Sequence, residues 1–193
     1  MVEASRVPSF FQLLAQGFLL QVQVGCSLRD LLCRQLGLSE DYVDQRIQTI
    51  FLDGKAVDDV DGAVVRQNST LALSAAMPGL AGATLRRGGA YKTMRSQISH
   101  ITTGQEALLQ DGTLTLKLFN LVAGELGSGF LKQGVWIGGK ALKTFFRKLP
   151  GDFFQSRGSA AQIDGEPVDV NGLDRFEGVR EDTVYKLMVV PTD

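Results

Sequence analysis

The sequence predicts an α+β protein built from two similar units in tandem. Each is ordered strand-strand-helix-strand-strand, with the helix laid across a mixed sheet. The main observation is an internal echo at a spacing of 111 to 113 residues: Leu52-Asp53-Gly54-Lys55-Ala56-Val57-Asp58 answers Ile163-Asp164-Gly165-Glu166-Pro167-Val168-Asp169. Each stretch is followed by an apolar run ending in proline, 70–78 in the first copy and 183–191 in the second. Upstream, residues 11–15 resemble 119–123, Gly17-Phe18-Leu19 resembles Gly129-Phe130-Leu131, and 31–36 resembles 144–149. Matched blocks in one order are the mark of a duplicated module. The competing reading is coincidence among common turn residues.

In the first unit, apolar residues dominate from Pro8 to Val24 and break near Gln16-Gly17, which predicts a hairpin. Ser27 is placed to cap a helix whose apolar positions Leu28, Leu31, Leu32 and Leu36 recur at three- and four-residue steps. Gly37 ends it, and residues 38–43 continue as a second turn or short helix. A β-branched strand over 47–52 closes on Asp53-Gly54, the strongest short hairpin signal in the chain. Residues 70–76 supply the last strand.

The second unit repeats the order, with strands over 113–123 and 130–137 and a helix over 140–149. Strands over 160–164, ending on Asp164-Gly165, and over 183–190 complete it. The expected division is therefore a first domain at 1–80, a linker containing glycine and arginine at 81–111, and a second domain at 112–193. A helix on one face of a sheet is a stable two-layer arrangement at this length. Units of about 80 residues lie near the small end of self-sufficient domains.

Composition bounds the function. With 44% hydrophobic and 21% charged residues among 193, the chain falls in the ordinary globular range. A formal net charge of −1 gives no global attraction to nucleic acid or to an anionic membrane. Two cysteines cannot build a disulfide scaffold. The apolar stretch at 9–20 is interrupted by Gln12, Gln16 and Gly17 and is shorter than the ~20 residues a spanning helix needs. The opening Met1-Val2-Glu3-Ala4-Ser5-Arg6 lacks a signal peptide's basic start. The expectation is a soluble cytoplasmic protein with reduced thiols, without a membrane partner and without a cofactor.

A strand-strand-helix-strand-strand unit carrying Phe51-Leu52-Asp53-Gly54-Lys55-Ala56-Val57-Asp58-Asp59 after its helix resembles the β-grasp, or ubiquitin-like, fold. More narrowly it resembles the small sulfur carriers of molybdopterin and thiamine biosynthesis. The resemblance covers roughly residues 8–83 and, less well, 113–191. That family's closing strand runs into Pro-Pro-x-x-Gly-Gly, and the nearest match here is Met77-Pro78-Gly79-Leu80-Ala81-Gly82-Ala83. The resemblance implies a carrier whose last glycine carboxylate is activated by an adenylating enzyme. This sequence departs from that pattern: Ala83 follows Gly82, and the chain as given closes on Val189-Val190-Pro191-Thr192-Asp193. Neither domain end is therefore expected to run the chemistry.

Leu85-Arg86-Arg87-Gly88-Gly89 is similar to the tail of ubiquitin-type modifiers, with Ala90 where a processing protease cuts. Gly88 and Gly89 are thus a candidate processing site, and a flexible linker is the plainer reading. Charge is unevenly placed. No Asp or Glu occurs over 62–105, where Arg86, Arg87, Lys92 and Arg95 stand, and Lys140, Lys143, Arg147 and Lys148 fall on the polar side of the second helix. Those eight are the candidate surface for an anion or an acidic partner; an ordinary solvated surface is the alternative.

The other motifs are weaker. His100 stands alone, so a histidine metal cluster has no material. Cys26 and Cys33 are too far apart for a Cys-x-x-Cys pair and read as buried small hydrophobes, Cys33 on the apolar side. Gly124-Glu125-Leu126-Gly127-Ser128-Gly129 lacks the Lys-Ser/Thr of a phosphate loop and reads as a hairpin turn. Gly138-Gly139 lets a ligand or another backbone approach a helix start. No carboxylate pair stands out, so no catalytic residue and no metal ligand is nominated.

The expectation is a non-enzymatic interaction or scaffold protein with another protein as partner, homo-oligomerisation being left open. One alternative is a sulfur-carrier or modifier precursor activated by cleavage after an internal Gly-Gly. A further alternative is a small RNA-binding module over 28–57. The stretch 27–78 holds five basic residues against eight acidic ones, or −3, which argues against nucleic acid.

Overall fold

The computed structural model describes residues 1–91, 94, 99, 108–154, 160–163, 166–168 and 179–192. The fold is mixed α+β. Its strands are Val2–Glu3 (β1), Phe18–Val24 (β2), Thr49–Leu52 (β3), Lys55–Ala56 (β4), Thr70–Ser74 (β5), Gln110–Phe119 (β6), Val135–Gly138 (β7), Ala161–Ile163 (β8), Glu166–Val168 (β9), Val184–Leu187 (β10) and Pro191–Thr192 (β11). Its α-helices are Phe11–Gln16 (α1), Gly79–Leu85 (α2), Asn120–Gln133 (α3) and Gly139–Phe146 (α4). A 3-10 helix spans Ala4–Phe10, and π-helical turns span Asp30–Gln35 and Tyr42–Arg46.

The hairpin expected over 8–24 does not form: the chain is helical through Gln16, and only β2 is extended. Val7, Phe10, Leu13 and Leu14 are the buried positions, and steps of three and four are a helical period. A strand would send the adjacent Leu13 and Leu14 to opposite faces. Gly17, at φ 117°, closes α1 in a conformation that a Cβ disfavours.

The second copy differs from expectation in the same way. The strand foreseen over 113–123 ends at Phe119, α3 runs straight through the expected turn at 124–129, and the strand foreseen over 130–137 is only β7. Glycine inside a helix costs about 1 kcal/mol relative to alanine. Gly127 has a packing reason to be there, since a Cβ would stand 2.8 Å from Phe11 Cε1.

Between these departures the local signals match the structure. Ser27 Oγ accepts the Asp30 N–H at 3.1 Å, Leu28, Leu31 and Leu32 are fully buried, and Gly37 turns at φ 71°. The helix is widened, with Leu36 N–H donating to Leu31 O at 2.9 Å. Asp53 (φ 52°) and Gly54 (φ 77°) form the tight turn joining β3 to β4, which pair Leu52 with Lys55. This double positive φ matches the right-handed twist of paired strands. The Asp53 carboxylate also accepts the Thr70 N–H at 2.7 Å and the Ser69 hydroxyl at 3.0 Å, pinning the hairpin to the start of β5.

Packing divides the chain into two compact units, Met1–Phe18 with Gly124–Asp193, and Leu19–Ala123. These cuts fall elsewhere than the expected ones at 80 and 112.

In the Leu19–Ala123 unit, five consecutive strands of the sheet run in the order β2-β6-β5-β3-β4. β5 is antiparallel to β3 (Leu71↔Leu52, Leu73↔Ile50) and parallel to β6 (Leu71↔Leu116, Leu73↔Leu118). A parallel pair cannot be closed by a tight turn and needs a long connection, which residues 75–109 supply. One face carries Ile50, Leu52, Leu71, Leu73, Leu114, Leu116 and Leu118, all fully buried. Each such side chain contributes roughly 1.5–3 kcal/mol of hydrophobic stabilisation.

The other unit pairs β7 with β10 antiparallel (Ile137↔Tyr185) and β1 with β11 parallel (Val2↔Pro191). β8 and β9 pair Ile163 with Glu166. That register places the foreseen hairpin across Asp164-Gly165, which lie outside the described residues. Its core is aromatic: Phe10 packs at a tilt against Phe145 at 5.2 Å and meets Phe153 edge-on at 5.9 Å. The Arg6 guanidinium lies 5.3 Å from the Phe153 ring centroid and donates to the Asp152 carbonyl at 2.9 Å.

Candidate functional site

The arginine-glycine stretch is anchored to the unit's body. α2 ends at Leu85, and its Gly82 packs on the Met77 backbone, where a Cβ would collide. Arg87 N–H donates to Gln48 O at 2.7 Å, just before β3. Its Nη2 reaches Val43 O at 2.8 Å, Asp44 O at 3.2 Å and Asp44 Oδ1 at 3.2 Å. The side chain is only 12% exposed. Gly88 N–H donates to Asp58 Oδ1 at 2.8 Å, and Gly89 N–H to Arg86 O at 3.1 Å. Arg87 is therefore an enclosed tether, and of this pair only Arg86 is exposed.

Asp44 is shared. Arg29 donates to it through Nη1 and Nη2, both at 3.3 Å, and grips Asp61 with Nε at 2.6 Å and Nη2 at 3.2 Å. The run Asp61–Arg29–Asp44–Arg87 alternates in sign. Hydrogen bonds to Asp61 first, then to Asp44, hold the Arg29 guanidinium in its charged form even more firmly than usual. Arg29 is thus a fixed cation with no proton to trade. Exposed ion pairs contribute little singly; the value of this run lies in tying four segments together. Asp61 is itself held in place, because Asp59 Oδ1 accepts the N–H groups of Asp61 and Gly62, both at 3.0 Å. No spacing signal marks Asp44 and Asp61 in the sequence, since each reaches its arginine only through the fold.

Of the other predicted basic residues, Lys92 and Arg95 lie outside the described residues, as does His100. Lys140, Arg147 and Lys148 are exposed and Lys143 is half-buried, opposite the buried Leu142, Phe145 and Phe146. The amphipathic reading of this helix therefore holds for α4. Arg86 and Arg87 belong to one compact unit, and the α4 cations to the other. At the start of α4 the glycine pair admits protein rather than ligand: Gly139 N–H donates to Thr183 O at 2.7 Å, and a Cβ on Gly139 would collide with the Arg180 carbonyl.

Opposite the leucine face of the β5–β6 sheet lies a second face. Phe51, Ala72 and Lys117 form one row across β3, β5 and β6, with Thr70 and Thr115 beside it. All five are half-buried, and Phe119 at the end of β6 is 38% exposed. Nearby, a shallow concavity of about 660 Å³ is lined by Gln21, Gln23, Gln35, Asp111 and Thr113. Its walls are held by hydrogen bonds to one another and to Gln67. Gln35 exchanges two hydrogen bonds with the Gln23 backbone, at 2.8 and 2.9 Å, and Thr113 N–H donates to Gln67 Oε1 at 2.9 Å.

Cys26 is buried, but Cys33 is half-exposed, which corrects its placement on the apolar side. Burial pushes both thiols up from their ordinary range. Among the described residues, no group of three or more His, Cys, Asp or Glu is placed to hold a metal ion, and no helix is long and apolar enough to cross a membrane. No protein-family model, no curated protein and no solved structure matches this chain.

Proposed function

We propose that this chain is a non-enzymatic protein-interaction module built on two ubiquitin-like, β-grasp units, and that it receives a protein partner on the sheet face marked by Phe51, Ala72 and Lys117. The observation that carries the reading is the arrangement in the Leu19–Ala123 unit. A closing strand, β5, lies parallel to one neighbour and antiparallel to the strand that follows the helical segment. One departure bears on it. The strand parallel to β5 is β6, which follows β5 in the chain, while the stretch upstream of β2 is helical. The unit on this reading draws a central strand from residues 110–119.

The row itself suits recognition, because an aromatic ring, a methyl and an ammonium side by side offer apolar area with one charge for orientation. Aromatic anchors of this kind dominate binding energy at many interfaces.

The test starts with affinity capture by the full-length chain, followed by titration calorimetry with the purified partner. Lys117→Glu and Phe51→Asp are expected to weaken binding at least tenfold with the thermal midpoint nearly unchanged for Lys117→Glu. Unchanged binding by both, with loss on Lys140→Glu/Lys143→Glu, would move the surface to α4. An intact mass ending at Gly89 in protein from its own cell, with capture of an adenylating enzyme, would replace the reading by a carrier precursor.

A further inference from the structure

We infer that residues 86–89 form a latch, closed over the start of β3 by two carboxylates, Asp44 and Asp58, and that the peptide bonds after Arg86 and Arg87 become accessible to proteases only when it opens. This stands independently of any partner on the sheet face.

Three contacts of different kinds hold the latch. The backbone of Arg87 bonds to Gln48 O, one residue ahead of the start of β3. The guanidinium sits among Val43 O, Asp44 O and Asp44 Oδ1, with its Nη1 buried. Gly88, at φ 64°, turns its N–H onto Asp58 Oδ1. The carboxylates come from separate places, Asp44 in the π-helical turn and Asp58 just after β4. Each anchors an adjacent residue, so opening needs both to let go. Solvent is largely kept from the Arg87 side chain, so its pairing with Asp44 is screened by salt less than an exposed pair would be.

The closed form is unsuited to cleavage. Proteolytic nicking concentrates at exposed, mobile loop tips. Here Gly89 folds back to Arg86 O, and Arg87 is pinned on both its backbone and side-chain sides. Two consecutive arginines would otherwise make this one of the most trypsin-sensitive points of the chain. An opening equilibrium therefore governs cutting there, as it does for local opening in general.

The experiment is limited trypsin digestion of the full chain, read by mass spectrometry, with amide exchange of Arg87 and Gly88 measured by NMR. In the unaltered protein both amides are expected to exchange at least tenfold slower than in an unstructured peptide. Asp58→Asn and Asp44→Asn are each expected to speed cleavage after Arg87 at least tenfold, and the double variant further, with cleavage after Lys132 changed less than twofold. Unprotected amides at Arg87 and Gly88 in the unaltered chain would overturn the latch even if a variant fails to fold. So would equal cleavage after Arg87 in the unaltered and doubly substituted proteins.

Discussion

The Asn120 carboxamide clasps the end of a neighbouring strand at Ser74. Its Nδ2 donates to Ser74 Oγ at 2.7 Å, and its Oδ1 accepts the Ala75 N–H at 3.0 Å. Asn120 lies where β6 gives way to α3, at φ 44°, a region that asparagine tolerates better than most residues. One side chain thus ends β5, ends β6 and turns the chain. Asn120→Ala is expected to lose about 1–3 kcal/mol by urea denaturation, since buried Ser74 and the Ala75 N–H both lose a partner. Asn120→Gly, which suits the positive φ but restores no bond, should recover only the backbone part of the loss.

The two glycines before α4 predict opposite outcomes. A Cβ on Gly139 meets the Arg180 carbonyl, whereas one on Gly138 meets nothing within 4 Å at an unstrained φ of −64°. Gly139→Ala is expected to cost about 1–3 kcal/mol by overpacking. Gly138→Ala should fall within about 0.5 kcal/mol of the unaltered protein. Paired thermal melts decide it.

Gly54 isolates backbone strain from packing. A Cβ there has open space, yet φ is 77°. Gly54→Ala should cost about 1–2 kcal/mol, the penalty of the left-handed conformation, and Gly54→Asn markedly less. Equal losses in chemical denaturation would mean that the turn is not the one described.

The cysteines give a pH-dependent test. Burial raises both thiols, so the folded chain keeps its protons at a pH where the unfolded chain has begun to ionise. Stability is therefore expected to fall as pH climbs through and above the ordinary thiol range near 8.5, and to be insensitive to these groups below it. At pH 7.5 iodoacetamide should modify Cys33 slowly and buried Cys26 more slowly still, with both labelled at once after denaturation. Rapid native labelling of Cys26 would contradict its placement.

Local signals were legible in the sequence where one residue type has one structural use. Asp53-Gly54 marked its turn, Ser27 its cap and Gly37 its helix end, because each rests on chemistry within a few residues. The stretch 8–16 misled because a short apolar run carries both periods at once. Only the burial of Leu13 beside Leu14 separates helix from strand there. Gly124, Gly127 and Gly129 pointed to a turn for the same local reason, and a helix prevailed because Gly127 lies against Phe11. The Asp44–Arg87 tether was hidden altogether: 43 residues separate partners that meet only when α2 has packed.

The proposed sheet face and the proposed β-grasp reading both rest on the parallel pairing of β5 with β6, and backbone cross-strand NOEs in the full-length protein measure it directly. Contacts are expected in parallel register from Thr70–Thr115 to Ser74–Phe119, with Leu71 opposite Leu116. Contacts that place residues 8–16 beside β5 instead, or that run antiparallel between residues 70–74 and 110–119, would contradict it.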